Sequence, residues 1–446
     1  MAAFAASLIP ATASAWPVKG AKPQFKLFAA AFGLMAVNRV SLGIGALGNV
    51  GVDPSGRGTT QGGFWPRGTI DNYIFNSGIQ VAGQIQGTKP TNPWGGDTAG
   101  GLFFDATGLH EHSEGVENVF NSAVPSDVAS WPSDAFVPQG DAVADLYAAP
   151  LQGLVSASQG DVHFIAWEGN PALINGRPHP LGILADHRLL AWNYPAGNQD
   201  VVYVVVTLYN ITSGNCSDYA SARPGIQQLL CAQGQKFQAI NDAKFGITLP
   251  TGGYTIGPMY MAYGADPDVG NANDNYATVN LPFAMGMAYD ATFGKGTGGW
   301  SFDPAIFAPP FFAGVGIVGM KYLKGPDGPG AIQLFTNTVN ATGGTPDPST
   351  TFVLYRDLAG TPIQSDGSCN IPGVPAQTHI CYVQKAKFVD IRMIESSSAL
   401  TLAPGEFKTV VIALIFAPPV ALPGFVPNAT TNVDPGDPTW TNSSDS

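Results

Sequence analysis

Apolar positions crowd most densely between His179 and Thr212, in HPLGILADHRLLAWNYPAGNQDVVYVVVTLYNIT. The pattern predicts two strands, from about Leu181 to Trp192 and from Val201 to Tyr209. Between them, Tyr194 to Asn198 predicts a turn, because Pro fixes φ and Gly and Asn tolerate positive φ. The second strand is apolar almost without a break. A sheet face open to water would carry alternating polar residues, so both faces of this strand are expected to be covered. Short apolar runs closed by Gly, Pro or Asn recur along the chain. They predict strands within Phe64–Gly87 and at Leu102–Asp105, Phe164–Trp167, Tyr254–Gly264, Phe311–Leu323, Phe352–Tyr355, Phe388–Ile394 and Phe407–Ala417. One short helix is expected, from Gly225 to Cys231. Many strands and few helices imply an all-β sandwich, of the jelly-roll or immunoglobulin-like kind, behind a long N-terminal extension. The expected division is 1–37 extension, 38–160 N-terminal β region, 161–417 main β-sandwich and 418–446 polar extended tail.

The extension holds an apolar run, LFAAAFGLMAV, from Leu27 to Val37, preceded by Lys22 and Lys26. It is too short to span a bilayer, which takes about 20 residues. Two readings stay open. It is the apolar core of an export signal, or it is retained as a strand with no partner within its own chain. In the second case Leu27, Phe28, Phe32, Leu34 and Val37 are the candidate assembly residues, entering the sandwich of a neighbouring copy by strand addition. Such a head-to-tail contact does not close on itself and propagates into a filament.

Composition narrows the function classes. Gly (55) and Pro (37) make up about a fifth of the chain, against a usual share of roughly 12%. Charged residues are 12%, about half the usual share, and the net charge is −12. An acidic, charge-poor surface argues against nucleic acid and against anionic membranes. The four cysteines fall as two local pairs, Cys216 with Cys231 and Cys369 with Cys381, without the CxxC spacing of a zinc or redox site. Two loop-closing disulfides are expected, hence an oxidising, extracellular or cell-surface location. Glycosylation triplets begin at Asn210, Asn215, Asn340, Asn428 and Asn442.

Candidate chemistry is sparse. Asp266, Asp268, Asn271, Asn273 and Asp274 follow a predicted strand in DPDVGNAND. Such a loop supplies oxygens for structural Ca²⁺, or folds as an Asx-rich turn on its own backbone. His110, Glu111, His112 and Glu117, with His187 downstream, resemble part of a cupin metal site; Phe104 stands where that motif wants Gly, and the spacing around His187 does not fit. Asp105, Glu111, Glu114, Glu117 and Glu168 are the carboxylates from which a glycosidase pair would come. Trp94, Trp131 and Trp300 are the candidates for stacking on glycans. No GxSxG is present, and no enzymatic activity is expected.

Three stretches carry a resemblance: WPRGTIDNYIFNSGIQVAG (Trp65–Gly83), PLGILADHRLLAWNYP…DVVYVVVTLYNIT (Pro180–Thr212) with YMAYGADPDVGNANDN (Tyr260–Asn275), and MIESSSALTLAPGEFKTVVIALIFA (Met393–Ala417). Together they resemble a broad group of secreted β-rich bacterial surface proteins, some of them extracellular fibre subunits. The resemblance implies a secreted structural subunit of a fibre or surface assembly with itself as partner. A calcium-supported carbohydrate-binding or adhesion module, or a polysaccharide-acting enzyme, is the alternative.

Overall fold

Strands dominate, as the spacing of apolar runs predicts, and they form two large antiparallel sheets of a β-sandwich. The computed structural model describes residues 32–51, 62–69, 71–86, 98–102, 113–116, 118–129, 158–173, 180–245, 249–269, 275–280, 283, 285–290, 316–327, 332–339, 351–359, 380–381 and 391–418. In chain order the strands begin with β1 (Phe32–Met35), β2 (Ser41–Gly45), β3 (Asn49–Val50), β4 (Gly63–Phe64), β5 (Asn72–Ile74), β6 (Asn76–Gln86) and β7 (Thr98–Leu102). Next come β8 (Glu114–Gly115), β9 (Phe120–Asn121), β10 (Gly160–Glu168), β11 (Ile183–Ala191), β12 (Val201–Asn210), β13 (Thr255–Asp266) and β14 (Asn275–Asn280). The last are β15 (Met285–Asp290), β16 (Ile317–Lys324), β17 (Ile332–Val339), β18 (Ile380–Cys381), β19 (Ile391–Ser397), β20 (Leu400–Leu402) and β21 (Phe407–Ala417). Three α-helices are described: α1 (Pro125–Ala129), α2 (Pro224–Phe245) and α3 (Thr351–Leu358).

Sheet A runs β18-β17-β19-β13-β6-β3-β2-β4-β5, with β1 on β2, β7 on β6 and β20 on β13. Sheet B runs β14-β15-β16-β21-β12-β11-β10-β8, with β9 on β10. Residues on either side of the expected boundary at 160 share sheet A, because β6 pairs with β13 along almost its whole length.

Register sorts the side chains of sheet B. Val204 stands opposite Leu189 and Ile412, and alternate residues point the same way. Phe164, Leu189, Val204, Ile412 and Phe416 therefore share the inner face. There Phe416 stacks on Trp65 from sheet A at 6.1 Å between ring centroids. Tyr322 Oη crosses the gap to donate to Met261 O at 2.9 Å. This inner face explains why β12 reads as apolar, and its outer face is covered too along much of its length.

The N-terminal segment departs from expectation. Phe32–Met35 has a partner within its own chain: it pairs with β2, Phe32 opposite Gly45 and Met35 opposite Leu42. The reversal is built by Asn38, whose Oδ1 accepts from Val40 N at 3.0 Å and whose Nδ2 donates to Val201 O at 2.9 Å. Gly33 lets the strand lie close to the other sheet, since a Cβ there would sit 2.5 Å from Val119 Cγ1. Met35 is buried, and Val37 packs against the core. Leu34 is 47% exposed, but its carbonyl at the sheet edge is capped by Asn121 Nδ2 at 2.8 Å. Of the expected assembly residues, Phe32, Leu34 and Val37 thus belong to the domain itself; Leu27 and Phe28 lie outside the described residues.

Two further expectations are corrected. Phe352–Tyr355 is helical, part of α3, because Leu354 and Leu358 recur at i, i+4 and pack with Ala82, Ala262 and Ile394 on the outer face of sheet A. The helix expected to stop at Cys231 continues to Phe245. Pro224 opens it at a position where the missing N–H costs nothing. Gly234, which reads as a breaker, is instead a contact residue. A Cβ there would collide with Ser213 O and Tyr219 Oη, so only glycine lets the helix sit this close.

Candidate functional site

The outer face of sheet B is divided between two environments. Over β10 and β11 it is covered by α2, and the polar residues there are used to hold the helix. Asp186 is the centre. It lies on β11, one residue before the inward-facing His187, and shares its face with His163 of β10 and Thr207 of β12. Its Oδ1 meets His163 Nε2 at 2.9 Å, and its Oδ2 accepts from Arg223 Nη2 at 2.7 Å. Arg188 Nη2 is 3.9 Å from the same oxygen. All four side chains are buried. Burial alone would raise the Asp186 pKa, but Arg223, then His163, then Arg188 outweigh it and hold the carboxylate well below its usual range.

Arg223 immediately precedes α2, so the pair fixes the start of the helix to the middle of the sheet. Further along α2, Lys236 Nζ lies 4.6 Å above the Trp167 ring and 3.9 Å from Glu114 Oε1. Gln238 Nε2 donates to Thr212 O at 2.9 Å and to Pro250 O at 2.8 Å. Asn241 Nδ2 donates to Gly169 O at 3.1 Å. The Cys216–Cys231 disulfide, across a separation of 15 residues, ties the helix to the turn before it.

From the end of β11 across β12, β21, β16 and β15 the same face is half-buried. Trp192, Tyr203, Ile415, Ile317, Met287 and Tyr289 are half-buried, and they alternate with fully buried neighbours along β12, β21, β16 and β15. The register places Ile415 opposite Gly319, and Gly319 opposite Met287. Trp192 and Tyr203 meet edge to face at 5.5 Å. Among the described residues the charge on this part of the face is Lys321, whose Nζ donates to Phe283 O and lies 5.7 Å from the Phe283 ring. Phe283 is 60% exposed at the rim. Among the described residues this part of the face is mainly apolar.

His187 and Glu395 are ionisable groups that lie between the sheets. His187 stacks on Phe164 at 4.4 Å, and burial pushes its pKa down to about 4. Glu395 of β19 reaches across to Gly286 of β15, whose N–H donates to Oε1 at 2.7 Å. Burial raises the Glu395 pKa well above the usual carboxylate range, against the opposing effects of that hydrogen bond and of Lys321.

The sequence-derived sites fall unevenly. Asp266 pairs with Arg392 at 3.0 Å under α3's side of sheet A, and Asp268 is buried. Asn275 Oδ1 accepts from Val269 N at 2.8 Å and its Nδ2 donates to Val269 O, closing the loop by side-chain-to-backbone bonds. Asn271, Asn273 and Asp274 lie outside the described residues, and among the described residues no group of three metal-ligating side chains converges. His187 is a core residue. His110, Glu111, His112, Glu117, Asp105 and the three candidate tryptophans, Trp94, Trp131 and Trp300, lie outside the described residues. Glu114 belongs to the Lys236 contact, and Glu168 accepts from Leu181 N at 2.5 Å. Asn210 is buried, its Nδ2 donating to Tyr254 O and Leu402 O, both at 2.9 Å. Asn215 is exposed beside the disulfide. Asn340, Asn428, Asn442 and Cys369 lie outside the described residues; Cys381 is on β18. Sequence reading passed over the Asp186 cluster. Its trace was present: Asp-His-Arg at 186–188 interrupts an otherwise apolar strand.

No family model matches the chain, and no curated protein matches it. Among the described residues, no helix is long and apolar enough to cross a membrane.

Proposed function

We propose that this chain is a secreted structural subunit of an extracellular fibre or surface assembly, built from copies of itself. The observation that carries the reading is what the polar groups do. The best-formed buried clusters, around Asp186 and along α2, fasten a helix to a sheet and place no reactive group at the surface. A stapled, charge-poor sandwich of this kind is suited to durability. The Cys216–Cys231 disulfide supports an oxidising compartment, and the resemblance to secreted surface proteins agrees with it.

Head-to-tail growth uses the chain before β1. Residues 1–31 would span up to about 100 Å if extended, at roughly 3.3 Å per residue, so they reach a neighbour readily. β1 anchors their root at the edge of sheet A. On this reading the inserted strand contains Leu27 and Phe28, and Phe32–Val37 serves as its fixed base. Negative-stain microscopy of the exported protein tests the reading. Filaments or a regular surface array are expected; a monodisperse monomer at every concentration contradicts it.

A further inference from the structure

Two of the glycosylation triplets fall close together in the described chain, Asn210-Ile211-Thr212 and Asn215-Cys216-Ser217. As sequence they are equivalent acceptors. Their surroundings in the fold are opposite. We propose that Asn215 carries a covalently attached sugar and that Asn210 stays unmodified. This rests on the export part of the reading above, and not on assembly.

Asn210 has no amide hydrogen to give up. It ends β12 and is 0% exposed. Its Nδ2 spends both hydrogens, one on Tyr254 O and one on Leu402 O, each at 2.9 Å. Its Oδ1 accepts from Thr212 N at 3.0 Å and from Thr212 Oγ1 at 2.6 Å. Thr212 is the hydroxyl residue of the same triplet, so the fold consumes both of the groups a glycosylating enzyme needs. A sugar on this nitrogen would replace a buried hydrogen bond and demand room that the site lacks. A chain modified there does not reach this fold.

Asn215 is the converse. Its backbone is held: the N–H donates to Ser213 Oγ at 3.0 Å, and the carbonyl accepts from Asp218 N at 3.2 Å. The residue is nonetheless exposed. It stands just before the one-turn 3-10 helix Cys216–Tyr219, with φ −86° and ψ 116°. Asparagine in that place ordinarily turns its side chain back onto the N–H groups that follow; Asn215 makes no such bond. A Cβ built on Gly252 would find one atom within 4 Å, Asn215 Nδ2 at 3.9 Å, so there is space beside the amide. Ser217 is exposed too, and no hydrogen bond described for the turn uses its hydroxyl. The Cys216–Cys231 disulfide runs through the middle residue of the triplet and implies the oxidising compartment in which exported chains receive sugars. The donor is an activated sugar, a glycosyl phosphate ester. Asn215 Nδ2 attacks its anomeric carbon. The N–C bond forms and the C–O bond to phosphate breaks; the phosphate leaves with the electron pair, and the nitrogen loses one proton.

The experiment takes the native protein from the cell exterior and digests it with chymotrypsin after reduction. The peptide spanning residues 210–219 is then sequenced by electron-transfer fragmentation, which leaves sugars on their side chains. A sugar on Asn215 and a bare Asn210 are expected. Asn215→Gln and Ser217→Ala, expressed in the same cells, should each remove the sugar mass from this peptide. Both positions are exposed, so both variants should keep a cooperative melting transition. A bare Asn215 in the parent protein overturns the proposal. So does a sugar on Asn210 of the folded protein, or a sugar on this peptide that survives Asn215→Gln. Protein at the exterior with a bare Asn215 refutes the modification and leaves export standing. Protein found only inside the cell, with Cys216 and Cys231 as thiols and no sugar, refutes both.

Discussion

Arg223 donates to Asp186 at 2.7 Å, joining the residue just before α2 to the centre of sheet B across 37 residues of sequence. His163 occupies the other carboxylate oxygen. Removing one member leaves a buried charge without compensation. Arg223→Ala and Asp186→Asn should each cost about 3–5 kcal/mol. Replacing Asp186, His163 and Arg223 together by apolar residues of similar volume should recover most of that loss. Urea denaturation of the single and triple variants measures it; single variants as stable as the parent would show that the pair carries no tension.

The disulfide should act on the same helix. Cys216→Ser combined with Cys231→Ser should lower stability by roughly 3 kcal/mol, the chain-entropy value for a loop of this size. The loss should appear as faster exchange of the α2 amides before those of β12. Non-reducing peptide mapping should also find Cys369 bonded to Cys381; a free thiol or a crossed pairing contradicts that expectation.

Two buried groups give opposite pH dependences. An unfolded Glu titrates near 4.3, and Glu395 is raised well above that. As pH rises past about 4, the unfolded chain loses a proton that the folded chain keeps, so stability falls by about 1.4 kcal/mol per unit until the folded group ionises. His187 works the other way. Its folded pKa is about 4, against about 6.5 unfolded. Its contribution is full above about pH 6.5 and is lost as pH falls toward 4, on the order of 3 kcal/mol in all. The two slopes oppose each other in that window. Denaturation curves between pH 4 and 6.5 should therefore show stability rising with pH in Glu395→Gln and falling with pH in His187→Phe. Parallel profiles would contradict the assignment.

The sandwich was legible because apolar runs of strand length, closed by Gly and Pro, recur along the chain. β21 matches its predicted bounds at Phe407 and Ala417. What failed were elements whose state depends on distant contacts. α3 has the apolar run of a strand and becomes a helix because Ile394 and Ala262 offer it a surface. Gly234 reads locally as a stop and is required by Tyr219. The partner of Phe32–Met35 was hidden because Asn38 makes the turn through bonds to residues about 160 positions away. The Asp186 cluster left only its polar interruption of β11, since neither His163 nor Arg223 is near it in sequence.

The Val269–Asn275 loop is held by its own side chain. Asn275→Ala should therefore lower stability by about 1–2 kcal/mol, the cost of leaving buried backbone groups unpaired. Chelator should leave the melting temperature unchanged. A chelator-dependent shift that Asp268→Ala abolishes would show instead that the loop holds calcium.

The most direct test of the assembly reading is a deletion placed by the structure. Removal through Val37 would take away β1 and the buried Met35 and so damage the domain. Removal of residues 1–31 leaves the β1–β2 hairpin whole. Full chain and truncated chain should be compared by electron microscopy after the same purification. The full chain should form filaments, and the truncated chain should remain a folded monomer with the same melting curve. Filaments of equal length and number from the truncated chain would contradict head-to-tail growth through the N-terminal segment.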